Sequence, residues 1–180
     1  NKPTLVQTLD AGGSVIAQRR FYYDGAADMA AAPVAGNLTK EEAWLGPTGQ
    51  TGSTGETWLA TTLTYSAFGN VATVQDALSR TTTNTYDTEG IFLTRITNML
   101  GHSRNLVYDS RFGAVTRSTD QNGVVAITEY DALGRVTKVI GPNDTAALPT
   151  ISYDYDACLT NSSGCTPPIR TTVNTRIRSN

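Results

Sequence analysis

Apolar residues along this chain come in short runs of partial alternation, cut at intervals by polar residues and glycine. The runs "NVATVQ" (70–75), "IFLTRIT" (91–97), "AVTRST" (114–119), "VVAITEY" (124–130) and "RVTKVI" (135–140) have ordinary strand lengths. In "VVAITEY" Val125 and Ile127 share one face, with Val124, Ala126, Thr128 and Tyr130 on the other. Neither face is strongly polar, so the pattern predicts strands partly covered on both sides. Helical spacing is almost absent. The alanine-rich "GAADMAAAPVAGN" (25–37) is broken by Pro33 and flanked by Gly25 and Gly36, and carries at best one helical turn. The 29 threonines suit a half-exposed pleated surface, and the 16 glycines suit its turns. The chain reads as all-β and antiparallel.

The cuts between runs are periodic. "YSAFG" (65–69), "YDTEG" (86–90), "YDSRFG" (108–113) and "YDALG" (130–134) align on Tyr65, Tyr86, Tyr108 and Tyr130, spaced by 21, 22 and 22 residues. A second mark falls midway: "DALSR" from Asp76, "NMLGH" from Asn98 with its Gly101, and "DQNGV" from Asp120 with its Gly123, each 22 residues from the next. Two markers in one register describe a repeat of strand, turn, strand, turn.

Turn chemistry accounts for the marks. Gly69, Gly90, Gly113 and Gly134 can take a left-handed position that other residues resist. Asp87, Asp109 and Asp131 can fold back on following amides as Asx-turns. Asn122-Gly123 is the strongest short hairpin signal and predicts a type I′ turn. Each tyrosine ends a strand, where its ring can pack on the sheet while its hydroxyl finds a polar partner. One such hairpin cannot bury its own face, but consecutive hairpins pairing edge to edge can. The sheet would keep an open edge at each end, favouring further repeats, a partner chain or a dimer of the fragment.

These residues resemble the RHS repeat family, also called YD-repeat proteins, whose unit is a Tyr-Asp-x-x-Gly-Arg turn followed by an Asp-x-x-Gly turn. "YDALGRVTKV" (130–139) is similar to the first half and "DQNGVVAITEYD" (120–131) to the second. Ser66 and Asn98 stand where the pattern has aspartate, and Ser79 where it has glycine. The resemblance divides the chain into a degenerate early repeat with an insertion (1–59), regular repeats (60–141), and a loop with a cysteine pair and a last degenerate repeat (142–180). It implies a long antiparallel sheet coiling into a hollow shell. It further implies export to the outside or surface of a bacterium, with neighbouring repeats of one parent chain and an enclosed C-terminal effector or toxin domain as partners. Related repeats occur in adhesion proteins. The family's self-cleaving segment uses Asp-Pro motifs; this sequence has no Asp-Pro, so that role passes to no residue here.

Charge and termini add little. A formal net charge of −2 with scattered arginines gives no footprint for nucleic acid. No apolar run reaches the 18 residues or more that suggest a membrane span. The N-terminus has neither an initiator methionine nor a signal peptide, and the expectation is a piece of a longer chain.

No catalytic constellation emerges, and no metal or cofactor is expected. His102 follows Gly101 where neighbouring repeats have Arg80 and Val124, the behaviour of a tolerant turn exit. Cys158 and Cys165 bracket a polar loop without further soft ligands nearby; a disulfide suits a secreted protein, two free thiols a cytosolic one. "GPTGQTGSTGETW" (46–58) lacks the Gly-Lys-Ser/Thr ending of a phosphate loop. The alternative function is a carbohydrate or adhesion module, with Trp44 and Trp58, together with Tyr22 and Tyr23, stacking on sugar rings. The wall reading expects mostly buried repeat tyrosines; the binding reading expects exposed aromatics clustered on one face.

Overall fold

The computed structural model describes residues 2–46, 57–155 and 171–176. Thirteen strands are assigned to a sheet whose spatial order is the chain order. They are β1 (Leu5–Leu9), β2 (Val15–Tyr23), β3 (Leu38–Trp44), β4 (Trp58–Tyr65), β5 (Val71–Gln75), β6 (Thr81–Tyr86), β7 (Leu93–Thr97), β8 (Ser103–Asp109), β9 (Ala114–Thr119), β10 (Val125–Tyr130), β11 (Val136–Ile140), β12 (Ile151–Tyr155) and β13 (Thr171–Thr175). The five runs read from the sequence become β5, β7, β9, β10 and β11, each within two residues of its expected limits. Residues 25–37 form turns and bends without a helix.

Two compact units are present, one from Asn1–Gly90 with Ile96–His102, the other from Ile91–Arg95 with Ser103–Asn180. In the first, β1 to β6 pair antiparallel in succession, from Leu5 opposite Arg20 to Val74 opposite Thr82. In the second, β8 to β13 do the same, from Leu106 opposite Ser118 to Tyr153 opposite Val173.

Burial is shallow throughout. Among the described residues the buried hydrophobics are Tyr22, Tyr23 and Ile140, and no large residue is completely enclosed. The half-polar alternation of β10 has its counterpart in a strand half-buried on both faces, Ala126 excepted. With so few buried residues among those described, the strands do not draw their stability from a sandwiched core. Cross-strand pairs and hydrogen bonds between neighbouring hairpins must carry much of it.

The register is broken at the repeat tyrosines. Val107 faces Arg117 but Tyr108 faces Val115, so Thr116 is left over. Thr73 faces Thr64 while Val71 faces Tyr65, leaving Ala72. Lys138 and Val136 bracket Thr137 opposite Glu129 and Tyr130 in the same way, and Lys40 and Leu38 bracket Thr39 opposite Tyr22 and Tyr23. These are β-bulges, which bend a strand and increase its twist locally. Their unpaired residue is threonine in three of these four cases; Thr116 Oγ1 donates to the Val107 carbonyl at 3.2 Å and Thr39 Oγ1 to the Tyr22 carbonyl at 3.2 Å.

Candidate functional site

The feature that recurs through both units is the turn, and it is built by one small set of hydrogen bonds. At Asp120 the backbone N–H donates to the Val124 carbonyl at 3.0 Å, and Gly123 N–H returns to the Asp120 carbonyl at 3.1 Å. The Asp120 carboxylate accepts from the N–H groups of Asn122 and Val124 at 2.8 and 2.9 Å. The same four bonds occur at Asp76, Asn98 and Asp131. They occur again at Asp10, in a "DAGGS" turn of the early repeat that the tyrosine alignment leaves unmarked. Asn98 does the backbone work of aspartate, because a side-chain carbonyl accepts as a carboxylate does. Ser66 is a weaker substitute, accepting from Phe68 and Asn70 at 3.2 and 3.3 Å.

The geometry corrects the expected type I′ turn at Asn122-Gly123. Gly123 has φ +78°, but Asn122 does not take a positive φ. With the Asp120 side chain holding both Asn122 and Val124, the loop has three residues, a type I turn closed by a left-handed glycine. Ser79 fills the glycine position at Asp76 with φ +62°, so the lapse from the repeat pattern changes the residue and not the backbone. Gly113 follows its tyrosine by five residues rather than four because Asp109 pairs with Ala114 across a four-residue loop.

Three arginines reinforce these turns. Arg80 pairs with Asp76 at 2.6 Å, Arg111 with Asp109 at 2.7 Å and Arg135 with Asp131 at 2.5 Å. The Arg80 guanidinium and the turn amides hold the Asp76 carboxyl below the usual aspartate range. Arg111 does the same to Asp109. At Asp131 partial desolvation pushes upward, but hydrogen bonds from Arg135 and the amides outweigh it and the net direction is down. In the early repeat Asp24 replaces the compact turn with a clamp on a long loop. Its carboxylate accepts from the amides of Val34, Ala35, Gly36 and Asn37 at 2.7 to 3.0 Å, which hold its pKa low.

Each repeat tyrosine reaches across to another hairpin. Tyr65 OH donates to the Leu38 carbonyl at 2.7 Å, Tyr86 OH to Val71 at 3.1 Å and Tyr23 OH to Pro3 at 2.8 Å. In the second unit Tyr108 OH donates to Leu93 at 3.0 Å, Tyr130 OH to Val115 at 2.9 Å and Tyr155 OH to Val136 at 2.8 Å. The acceptors follow a rule. Leu38, Val71, Val115 and Val136 are the residues paired with Tyr23, Tyr65, Tyr108 and Tyr130 themselves. In these four cases a tyrosine therefore clasps the hairpin of the tyrosine before it. Each of these tyrosines is mostly covered, and Tyr23 is buried.

The other candidate residues do not join this system. His102 is exposed and contributes its N–H to the Asn98 turn. Cys158 and Cys165 lie outside the described residues. Trp44 and Trp58 stand directly opposite each other on β3 and β4, both half-buried. The Arg20 guanidinium lies 3.7 Å from the centre of the Trp58 ring, where it occupies a stacking face. Between β2 and β3 Lys40 sits over the Tyr22 ring at 3.8 Å, and Tyr22 OH donates to Glu42 at 2.8 Å. A sugar stacking on that face of Trp58 would have to displace Arg20. Among the described residues no group of three or more His, Cys, Asp or Glu side chains is placed to hold a metal ion.

An all-β protein of consecutive antiparallel hairpins, marked by aspartate-capped turns and tyrosine clasps, is a hairpin-repeat protein. Residues 108–146 match the RHS Repeat family model. Comparison with curated protein sequences gives no significant match. Among solved structures the chain resembles TcdB2-TccC3-Cdc42, with a TM-score of 0.54 and 15% identity over 84% of this chain and 10% of that one. It also resembles TcdB2-TccC3 without its hypervariable C-terminal region (TM-score 0.54, 18% identity, 85% of this chain and 8% of that one). The Photorhabdus luminescens Tc holotoxin pore is a third (TM-score 0.52, 20% identity, 80% of this chain and 7% of that one). At these identities the likeness is one of fold, and the chain spans about a tenth or less of each relative.

Proposed function

We propose that these 180 residues are part of the wall of a secreted bacterial RHS shell, in which repeats of one parent chain enclose or present an effector domain. The observation that carries this reading is the tyrosine clasp. It ties hairpin to hairpin along the sheet within each unit. The solved relatives support it by fold, since they are TcdB2-TccC3 complexes and a Tc holotoxin. The work of the segment is steric: backbone pairing and bulges set the geometry, and no side chain is assigned to bond making or breaking.

The test is protease digestion of the full parent chain. The domain downstream of the repeats should resist digestion while the repeats are intact, and should become cleavable when Tyr108→Phe and Tyr130→Phe are combined with mild denaturant. A downstream domain cut equally fast with and without folded repeats would sink the proposal.

A further inference from the structure

The glycines of the tyrosine turns differ in a way that backbone conformation does not explain. Gly69 has φ +81°, and a Cβ placed there would meet nothing within 4 Å. Gly90 has φ +69°, and the same atom would lie 2.4 Å from both Cγ and Cδ2 of Phe68. At Gly134, φ +79°, it would lie 2.9 Å from Cδ1 of Phe112. Each of these rings belongs to an earlier tyrosine turn, Phe68 to residues 66–70 and Phe112 to 109–113. A second contact joins the first pair, since Asn70 Nδ2 donates to the Gly90 carbonyl at 2.5 Å. Gly101 and Gly123, in the Asp-x-x-Gly turns, face open space.

We infer that Phe68 and Phe112 are staples between successive tyrosine turns, and that the surface they form accepts as its neighbour only a turn with no side chain at the glycine position. Positive φ alone admits asparagine or, as at Ser79, serine. A ring pressed onto the backbone admits neither. Phe68 is 63% exposed and Phe112 37%, and each ring lies against the glycine of the following tyrosine turn. Such contacts add dispersion and apolar burial between successive turns. The inference deepens the wall reading, because it bears on which repeat can follow which.

Equilibrium unfolding of the 180-residue chain separates the two demands on glycine. Gly69→Ala reads the cost of positive φ alone. Gly90→Ala should raise the unfolding constant roughly tenfold beyond that, as overpacking does, and the excess should vanish in a Phe68→Ala background. Equal effects at Gly69 and Gly90, or an excess that survives removal of the ring, would overturn the staple. Should Gly90→Ala prevent folding, the Phe68→Ala/Gly90→Ala double variant decides: its folding supports the staple, and its failure where Gly69→Ala folds refutes it. None of these outcomes alters protease protection of a downstream domain, which tests the wall reading separately.

Discussion

The hydroxyl of Tyr130 donates to the carbonyl of Val115 at 2.9 Å, and Val115 is the residue paired with Tyr108 in the preceding hairpin. One side chain thus links the end of one repeat to the turn-proximal pair of the one before. The carbonyl lies at a bulge, where the ladder loses its regular partners and a side-chain donor can take the vacant lone pair. The bulge and the tyrosine are therefore complementary parts. One interrupts the pairing, and the other satisfies what the interruption exposes.

Ser79 holds a left-handed conformation, φ +62°, in a turn position that glycine fills at Gly101 and Gly123. A residue with a Cβ is disfavoured there by about 1 kcal/mol. Ser79→Gly should therefore stabilise the chain by roughly 0.5–1 kcal/mol, reduced by the extra freedom of glycine in the unfolded state. Urea unfolding at pH 7 checks this through the transition midpoint, with an unchanged slope. A fall in the midpoint would mean that the serine hydroxyl contributes something the turn geometry does not reveal.

The turn aspartates make the fold sensitive to acid in a defined direction. Asp76, Asp109 and Asp131 have folded pKa values below the ordinary 3.8. Depressed folded values mean that their contribution is complete above the unfolded value and is lost as pH falls below it, through the folded values. Stability should be flat with respect to these groups near neutrality and should fall once pH drops below about 4. Asp131→Asn should flatten part of that fall, because the amide does not titrate in this range. Chemical unfolding at a series of pH values measures the slope, and an unchanged slope in the variant would refute the assignment.

Asn98 makes a further comparison available. Its amide oxygen accepts from Leu100 and His102 at 3.0 Å, as the carboxylates do in sister turns. Asp120→Asn should be milder than Asp120→Ala, since asparagine keeps both acceptor contacts and alanine keeps neither. Amide hydrogen exchange at Asn122 and Val124 is the appropriate readout: protection should persist in the first variant and drop in the second. Equal loss in both would show that charge, not acceptor geometry, holds the loop.

Much of this was legible before any coordinates. Tyr65, Tyr86, Tyr108 and Tyr130 sit at strand ends as their spacing implied, because a two-state alternation of strand and turn leaves few other registers for them. The left-handed glycines follow from turn chemistry, but Asn122-Gly123 departs from the type I′ turn its dipeptide predicts. The dipeptide favours type I′ in isolation, and Asp120 two residues earlier overrides it with two side-chain hydrogen bonds. The bulges were not foreseen, although "GRVT" and "GAVT" place a threonine at the unpaired position and carry the signal. The clamp by Asp24 could not be read at all, since its partners lie 10 to 13 residues away along an irregular loop.

The central claim, that tyrosine hydroxyls tie successive hairpins together, is tested most directly by a tyrosine-to-phenylalanine series in equilibrium unfolding. Tyr65→Phe, Tyr86→Phe, Tyr108→Phe, Tyr130→Phe and Tyr155→Phe each remove one clasp and keep the ring. Tyr153→Phe, two residues before Tyr155 on the same face of β12, is the control because its hydroxyl takes no part in the series. Each clasp position should lose about 0.5–1.5 kcal/mol, with little change at Tyr153. Losses at Tyr153 as large as at the clasp positions, or no loss at Tyr86, Tyr108 and Tyr130, would contradict it.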